Sequence, residues 1–203
     1  MLKPSDVPLG TPFCYIKIFI KLNANQVNIT YKFYYATPRG FDDMIMLGNE
    51  KALTGLLFVN DESFDKNAFE NYEEKLLPVF DETRSWLNEY FDGKNPRFTP
   101  KIDVSFLTSF QKQVSDIMRE IPYGETTTYG EIAKNVAKTR GIERMSAQAV
   151  GGAVGANPIC IIIPCHRVLG ANGFITGYSG GLENKRSLLK LENVPFKDSV
   201  RRR

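Results

Sequence analysis

Apolar positions in the first third of the chain alternate or form short runs. KIFIKL at 17–22 and VNITYKFYY at 27–35 read as strands joined by a turn at Asn23-Ala24-Asn25. Leu53–Val59, LTGLLFV, reads as another strand. The spacing then changes. Leu76, Leu77, Phe80, Trp86, Leu87 and Tyr90 recur at helical intervals between Asn71 and Phe91, and Pro78 is expected to interrupt that helix. GKNPRFTP at 93–100 concentrates Gly93, Pro96 and Pro100, which predicts a linker. The pattern divides the chain into an α+β domain over 1–98, a second domain over 101–197 and a basic tail over 198–203.

The second part reads as mostly helical. Phe106, Leu107, Phe110, Val114, Ile117 and Met118 form one stripe. Thr128-x-x-Glu131 is a capping box, so a helix is expected from about Tyr129 to Lys138. A polar turn, TRGIER, leads to a helix over Met145–Gly155. Two short helices joined in this way fit a helix-turn-helix or an ordinary helical hairpin. The second one, in SAQAVGGAVGAN, is built of small residues, although Gly151 and Gly152 each cost a helix about 1 kcal/mol relative to Ala. Such a surface suits close packing against another helix, or close approach to a nucleic-acid groove. Ile161–Ile163 reads as a buried strand stopped by Pro164, and a last helix runs from Leu182 to about Glu192. The fold class is therefore α+β: a small N-terminal domain with an antiparallel sheet, then a mostly helical domain.

Charge sharpens this division. Residues 1–100 carry 11 basic and 14 acidic side chains; residues 101–203 carry 15 and 9. The basic second half fits a polyanionic partner, or ordinary solubility charge plus the Arg201-Arg202-Arg203 tail. Pro4, Pro8, Gly10 and Pro12 break any signal-peptide core, and FCYIKIFIKL is too short to span a bilayer. An intracellular, cytoplasmic protein without membrane attachment is expected. Cys14, Cys160 and Cys165 suggest neither a disulfide framework nor a metal site.

The chemistry concentrates in IIIPCHRVLG, residues 161–170, where Cys165 precedes His166, the sole histidine. An imidazole beside a thiol can take its proton and stabilise the thiolate. A buried structural cysteine and a surface histidine are the bland alternatives. Asn157-Pro158 lies just upstream, and the small-residue loop GYSGG, 177–181, follows. Glu192 could orient His166, or simply be a solvated carboxylate at a helix end.

These motifs together resemble the O6-alkylguanine-DNA alkyltransferases, also called methylated-DNA–protein-cysteine methyltransferases. PCHRV at 164–168, NP at 157–158, GYSGGLENK at 177–185, IPYGETTTYGEIA at 121–133 and AVGGAVGANP at 149–158 carry the resemblance, in matching order across roughly 105–193. The first 100 residues match only in layout. The resemblance implies that Cys165 accepts an alkyl group, that His166 deprotonates it through a water, and that Glu192 holds His166. It implies that Asn157 braces the turn and that Tyr129 assists the guanine leaving group. The helix-turn-helix would bind DNA, with Thr128, Ser146, Ala147, Gln148 and Gly151 at the duplex. Val154 would line the base pocket, Cys165 and Val168 would read the guanine edge with backbone groups, Ser179 would contact O6, and Lys185 would belong to the loop shaping the pocket.

The implied activity is DNA repair by direct reversal. A thiolate displaces guanine O6 from a methyl or small alkyl carbon, with O4-alkylthymine as a second substrate. The product is a thioether that nothing nearby could cleave, so each molecule reacts once. The implied partner is double-stranded DNA containing O6-alkylguanine, with the base rotated out of the stack. A monomer without cofactor is expected. Two departures stand out: Gln148 occupies the place of an arginine that fills the gap left by the flipped base, and the N-terminal zinc ligands of some members are missing. The rivals are a non-catalytic lesion binder, which would lack the acceptor cysteine, and a thiol hydrolase, which would need an oxyanion hole and an open cleft.

Overall fold

The computed structural model describes residues 31–59 and 69–198. KIFIKL, its Asn-Ala-Asn turn, Cys14 and the triple-arginine tail lie outside the described residues.

A four-stranded sheet has the order β3-β2-β1-β4, with β1 at Tyr31–Tyr35, β2 at Met44–Gly48, β3 at Leu53–Phe58 and β4 at Glu73–Glu74. β1, β2 and β3 pair antiparallel, and the two-residue β4 adds to β1 in parallel, so the sheet is mixed. β2 escapes an alternation test because every one of its residues is buried. Met44 and Met46 enter the main core, while Ile45 and Leu47 pack with Phe69 on the other side.

Helix α1, Pro78–Phe91, places Pro78 in its first turn. This proline does not interrupt the helix that the apolar spacing predicts. Instead it starts it, because the first turn needs no N–H from it and its fixed φ suits entry. The residues before it form β4 and an extended approach. Val79, Phe80, Thr83, Trp86, Leu87 and Tyr90 make the buried face.

Helix α2, Ser109–Arg119, begins later than the apolar stripe because Thr108 and Gln111 form a capping box. β5, Thr127–Thr128, leads into α3, Tyr129–Arg140, capped reciprocally by Thr128 and Glu131. Gly141 ends α3 at φ 63°, a left-handed stop. Ser146 caps α4, Ala147–Gly155, by accepting from Ala149 N. β6, Val168–Leu169, pairs in parallel with β5, which sets the start of α3 beside the Cys165 turn. Helix α5, Leu182–Leu191, closes the fold with Glu192 as its C-cap.

Backbone hydrogen bonds and a shared core help to join the halves. Leu53 of the edge strand exchanges hydrogen bonds with Lys101 and Asp103, and Leu56 does so with Pro158 and Cys160. One core cluster runs without a break from Tyr31 and Tyr35 through Phe80 and Tyr90 to Ile163, Val168 and Leu188. None of the described helices is long and apolar enough to cross a membrane.

Candidate active site

Ile161–Ile163 is not a strand. The segment turns sharply, and Ile161 takes φ 68°, a left-handed conformation that costs a β-branched residue roughly 1–3 kcal/mol. The apolar run reflects burial inside a turn, with Ile161 and Ile163 at 1% and 0% exposure. Asn157 pins this turn from within. Its Nδ2 donates to Ile163 O at 2.8 Å and Ile159 O at 3.2 Å, and its Oδ1 accepts from Ile159 N at 3.1 Å.

Pro164 then opens a single 3-10 turn, Cys165–Arg167. Asn157 Nδ2 lies 2.9 Å from Cys165 Sγ, so the same amide that braces the turn faces the thiol. Cys160, buried in the same turn, hydrogen-bonds to the Cys165 sulfur. That bond from Cys160 is the largest influence holding the Cys165 thiol below its ordinary value. Burial opposes it; Asn157 and the Lys185 ammonium assist. Cys160 itself is pushed well up by the same pairing and by burial, so it stays a thiol and a donor.

His166 is completely buried, and its Nε2 lies 2.8 Å from Glu192 Oε1. Arg167 grips the same carboxylate at two points, Nε to Oε2 at 2.8 Å and Nη2 to Oε1 at 2.9 Å, while Nη1 donates to Ile121 O. Gly124 N donates to Oε2 at 3.2 Å and the Tyr90 hydroxyl to Oε1 at 2.6 Å. Burial would raise the Glu192 carboxyl, but the hydrogen bonds from His166 and Arg167 hold it far below the usual carboxylate range. An ionised Glu192 only accepts, so the His166 proton sits on Nε2. Nδ1, buried and without a partner among the described residues, is the basic nitrogen. Burial, against the pull of Glu192, keeps the ring neutral.

The other expected residues fall into two groups. Tyr129 lies at the start of α3; its hydroxyl accepts from Thr176 at 3.3 Å, and a side chain at Gly151 would meet its ring. Burial raises the Tyr129 phenol, and the nearby Cys165 adds to the shift. Val154 is on the buried face of α4, and Val168 O accepts from Lys185 Nζ at 2.7 Å. Lys185 stands in the first turn of α5 rather than in the loop, fully buried, and burial lowers its ammonium to about 8. Ser179 sits in the half-buried loop, its hydroxyl toward Cys160. Gly180 permits the loop's close approach, since a Cβ there would lie 2.6 Å from the Phe58 ring. The second group faces outward: Ser146, Ala147 and Gln148 are exposed at the head of α4. The Thr128 hydroxyl is occupied by its capping bonds to Glu131.

Sequence reasoning missed Tyr90, Arg167, Cys160 and Tyr178. Arg167 and Cys160 flank the motif and could have been read with it. Tyr178 Oη is buried without a hydrogen bond of normal geometry, beside both thiols.

The 6-O-methylguanine DNA methyltransferase DNA-binding domain matches residues 109–194, and the ribonuclease-like domain of the same methyltransferase matches 30–104. The chain belongs to the O6-methylguanine DNA methyltransferase family. A methylated-DNA–protein-cysteine methyltransferase of Haemophilus influenzae is 39% identical over 83% of this chain and 89% of its own. One from Methanosarcina mazei is 42% identical over 81% and 99%. The crystal structure of the Mycobacterium tuberculosis O6-methylguanine methyltransferase superposes with a TM-score of 0.68 at 36% identity, covering 80% of this chain and 92% of that one. A Mycobacterium tuberculosis structure in complex with DNA gives 0.64 at 38% identity, covering 78% and 91%. Membership of this methyltransferase family carries with it DNA binding and repair of methylated DNA by direct reversal.

Proposed function

We propose that Cys165 is the acceptor, taking a methyl or small alkyl group from O6 of guanine in duplex DNA, with O4-alkylthymine as a second substrate. The carrying observation is the setting of the Cys165 sulfur. The residue is 2% exposed, and its sulfur faces the Asn157 amide and the Cys160 thiol and adjoins a neutral His166 whose free nitrogen is fixed by Glu192. So shielded a nucleophile favours a small flat base delivered into a pocket over the open cleft of a thiol hydrolase.

In the proposed reaction the thiol proton passes through water to His166 Nδ1. The thiolate attacks the alkyl carbon in line, forming the S–C bond as the C–O6 bond breaks. The electron pair of that bond moves into the guanine ring. The proton held by the imidazolium returns through water to the departing base, which Tyr129 Oη hydrogen-bonds. Val154 and the Val168 backbone line the pocket, and Ser179 contacts O6. The product, S-alkyl-Cys165, is a thioether with no nearby group to cleave it, so one molecule repairs one lesion.

The exposed head of α4 suits the minor groove. Ser146, Ala147 and Ala149 let the backbone approach closely, and Gln148 fills the space of the extruded nucleotide. Thr128 and Gly151 border the same face. The protein works intracellularly as a monomer and without a cofactor. The test is stoichiometric: with O6-methylguanine duplex in excess, demethylation stops at one equivalent of protein. Continued turnover contradicts the reading.

A further inference from the structure

The network around Glu192 contains one member from the N-terminal domain. Tyr90 lies in the last turn of α1 and is completely buried. Its ring stacks on Trp86 at 5.3 Å between centroids and meets Phe91, Tyr123 and His166 edge-on. This aromatic box aims the hydroxyl at one point. Tyr90 Oη donates to Glu192 Oε1 at 2.6 Å and lies 3.3 Å from His166 Nε2. The oxygen that receives the histidine therefore also receives the tyrosine.

We propose that Tyr90 is a positioning residue of the transfer reaction: its hydroxyl shares Glu192 Oε1 with His166 Nε2 and so governs how strongly the carboxylate holds a proton on the imidazole. The argument is one of competition. Each donor on Oε1 draws on the same charge. A neutral O–H there leaves less negative charge for an imidazolium, which favours the neutral ring that the base role requires. Burial keeps the Tyr90 phenol well above its ordinary value, so it remains a donor throughout the working range. The other charged or titratable groups facing this pair among the described residues are Arg167 on the same turn, Lys185 from α5, Tyr123 from the loop after α2, Tyr178 from the 177–181 loop, and Cys165. Arg167 and Lys185 also favour the neutral ring. The N-terminal domain thereby completes the site rather than only supporting it.

The inference rests on His166 being the base for Cys165, and its test separates the two ideas. His166 is the sole histidine, so nitrogen-15 labelling of histidine in the full chain gives one imidazole to titrate. In Tyr90→Phe the ring packing stays and only the hydroxyl goes. The expected result is a His166 pKa above the wild-type value and an acid limb of the transfer rate moved to higher pH. A rise of one unit cuts transfer roughly tenfold on that limb. Rates on the alkaline side and binding to unmodified duplex stay as in wild type. If Tyr90→Phe does not fold, 4-aminophenylalanine and 4-methylphenylalanine at position 90 replace it: similar in shape, only the first donates and only it keeps the wild-type titration. A His166 titration and pH–rate profile that overlay the wild type overturn the proposal, even if the overall rate falls. His166→Ala, run alongside, tests the base assignment alone. An acid limb that survives in that variant overturns the assignment and leaves the titration result standing.

Discussion

The side-chain amide of Asn157 lies 2.9 Å from Cys165 Sγ while its other bonds hold the turn that carries the cysteine. Structure and reactivity thus share one residue. Asn157→Ala should leave the Ile159 N–H and the carbonyls of Ile159 and Ile163 buried without this partner, and remove a brace from the turn that holds Ile161 at positive φ. A loss of about 2–4 kcal/mol is expected in urea unfolding. Asn157→Asp should keep more of the stability yet react slowly, because a carboxylate beside the sulfur disfavours the thiolate. Stability unchanged in the alanine variant would remove the bracing role.

Cys160 should be visible in the pH dependence of the acceptor. The thiol donates to Cys165 and holds it down, so Cys160→Ala should raise the Cys165 pKa and slow reaction below it. Cys160→Ser keeps a donor and should restore much of the wild-type profile. Alkylation by iodoacetamide across a range of pH, followed by mass at Cys165, gives the midpoint directly. Identical midpoints in all three proteins would dismiss the contact as energetically silent.

Acid should unfold this protein through Glu192 and His166. The folded Glu192 pKa lies far below its ordinary value of 4.5, so its contribution to stability is complete above that value and is lost as pH falls through and below it. His166 is kept neutral, below its ordinary 6.5; it protonates more readily unfolded, so stability also drops as pH falls past that value. Unfolding free energy measured against pH should therefore decline in acid, and Glu192→Gln should flatten the lower part of the decline. Arg167→Met should cost about 3–5 kcal/mol near neutrality, because it leaves a buried carboxylate short of its main partner. A Glu192→Gln curve parallel to wild type in acid would contradict this assignment.

The sequence made these features legible to different degrees, for local reasons. Capping boxes are written in adjacent residues, so Thr128 and Glu131 announced the start of α3. The Cys165–His166 pair and Asn157 lie within ten positions and were read together. β2 carries no strand signal in the sequence because both its faces are buried, which erases the alternation that marks a half-buried strand. Ile161–Ile163 misled in the opposite sense: three apolar residues in a row meant burial, and the strand inferred from them is a turn. Tyr90 was invisible as a site residue, since it sits in an ordinary helical stripe 76 positions before His166. Only the packing of α1 against the C-terminal half reveals what its hydroxyl touches.

Gln148 offers a test of the DNA-facing role of α4. If it fills the stack during extrusion, Gln148→Ala should slow repair of duplex DNA by roughly tenfold, the effect of losing 1–2 kcal/mol. Reaction with free O6-benzylguanine should barely change, since nothing is flipped. Gln148→Arg should match or exceed wild type on duplex by adding a flat, charged stacking surface. Equal losses on both substrates would mark the residue as part of the fold or the pocket.

The central claim is transfer to one particular sulfur. The most direct measurement is intact mass followed by peptide mapping after incubation with a duplex containing O6-methylguanine. The account predicts a gain of one methylene per molecule, located on Cys165, and none in Cys165→Ser, which should still bind the duplex. A methyl group found on Cys160 or Cys14, or demethylation of the DNA with no change in protein mass, would contradict it.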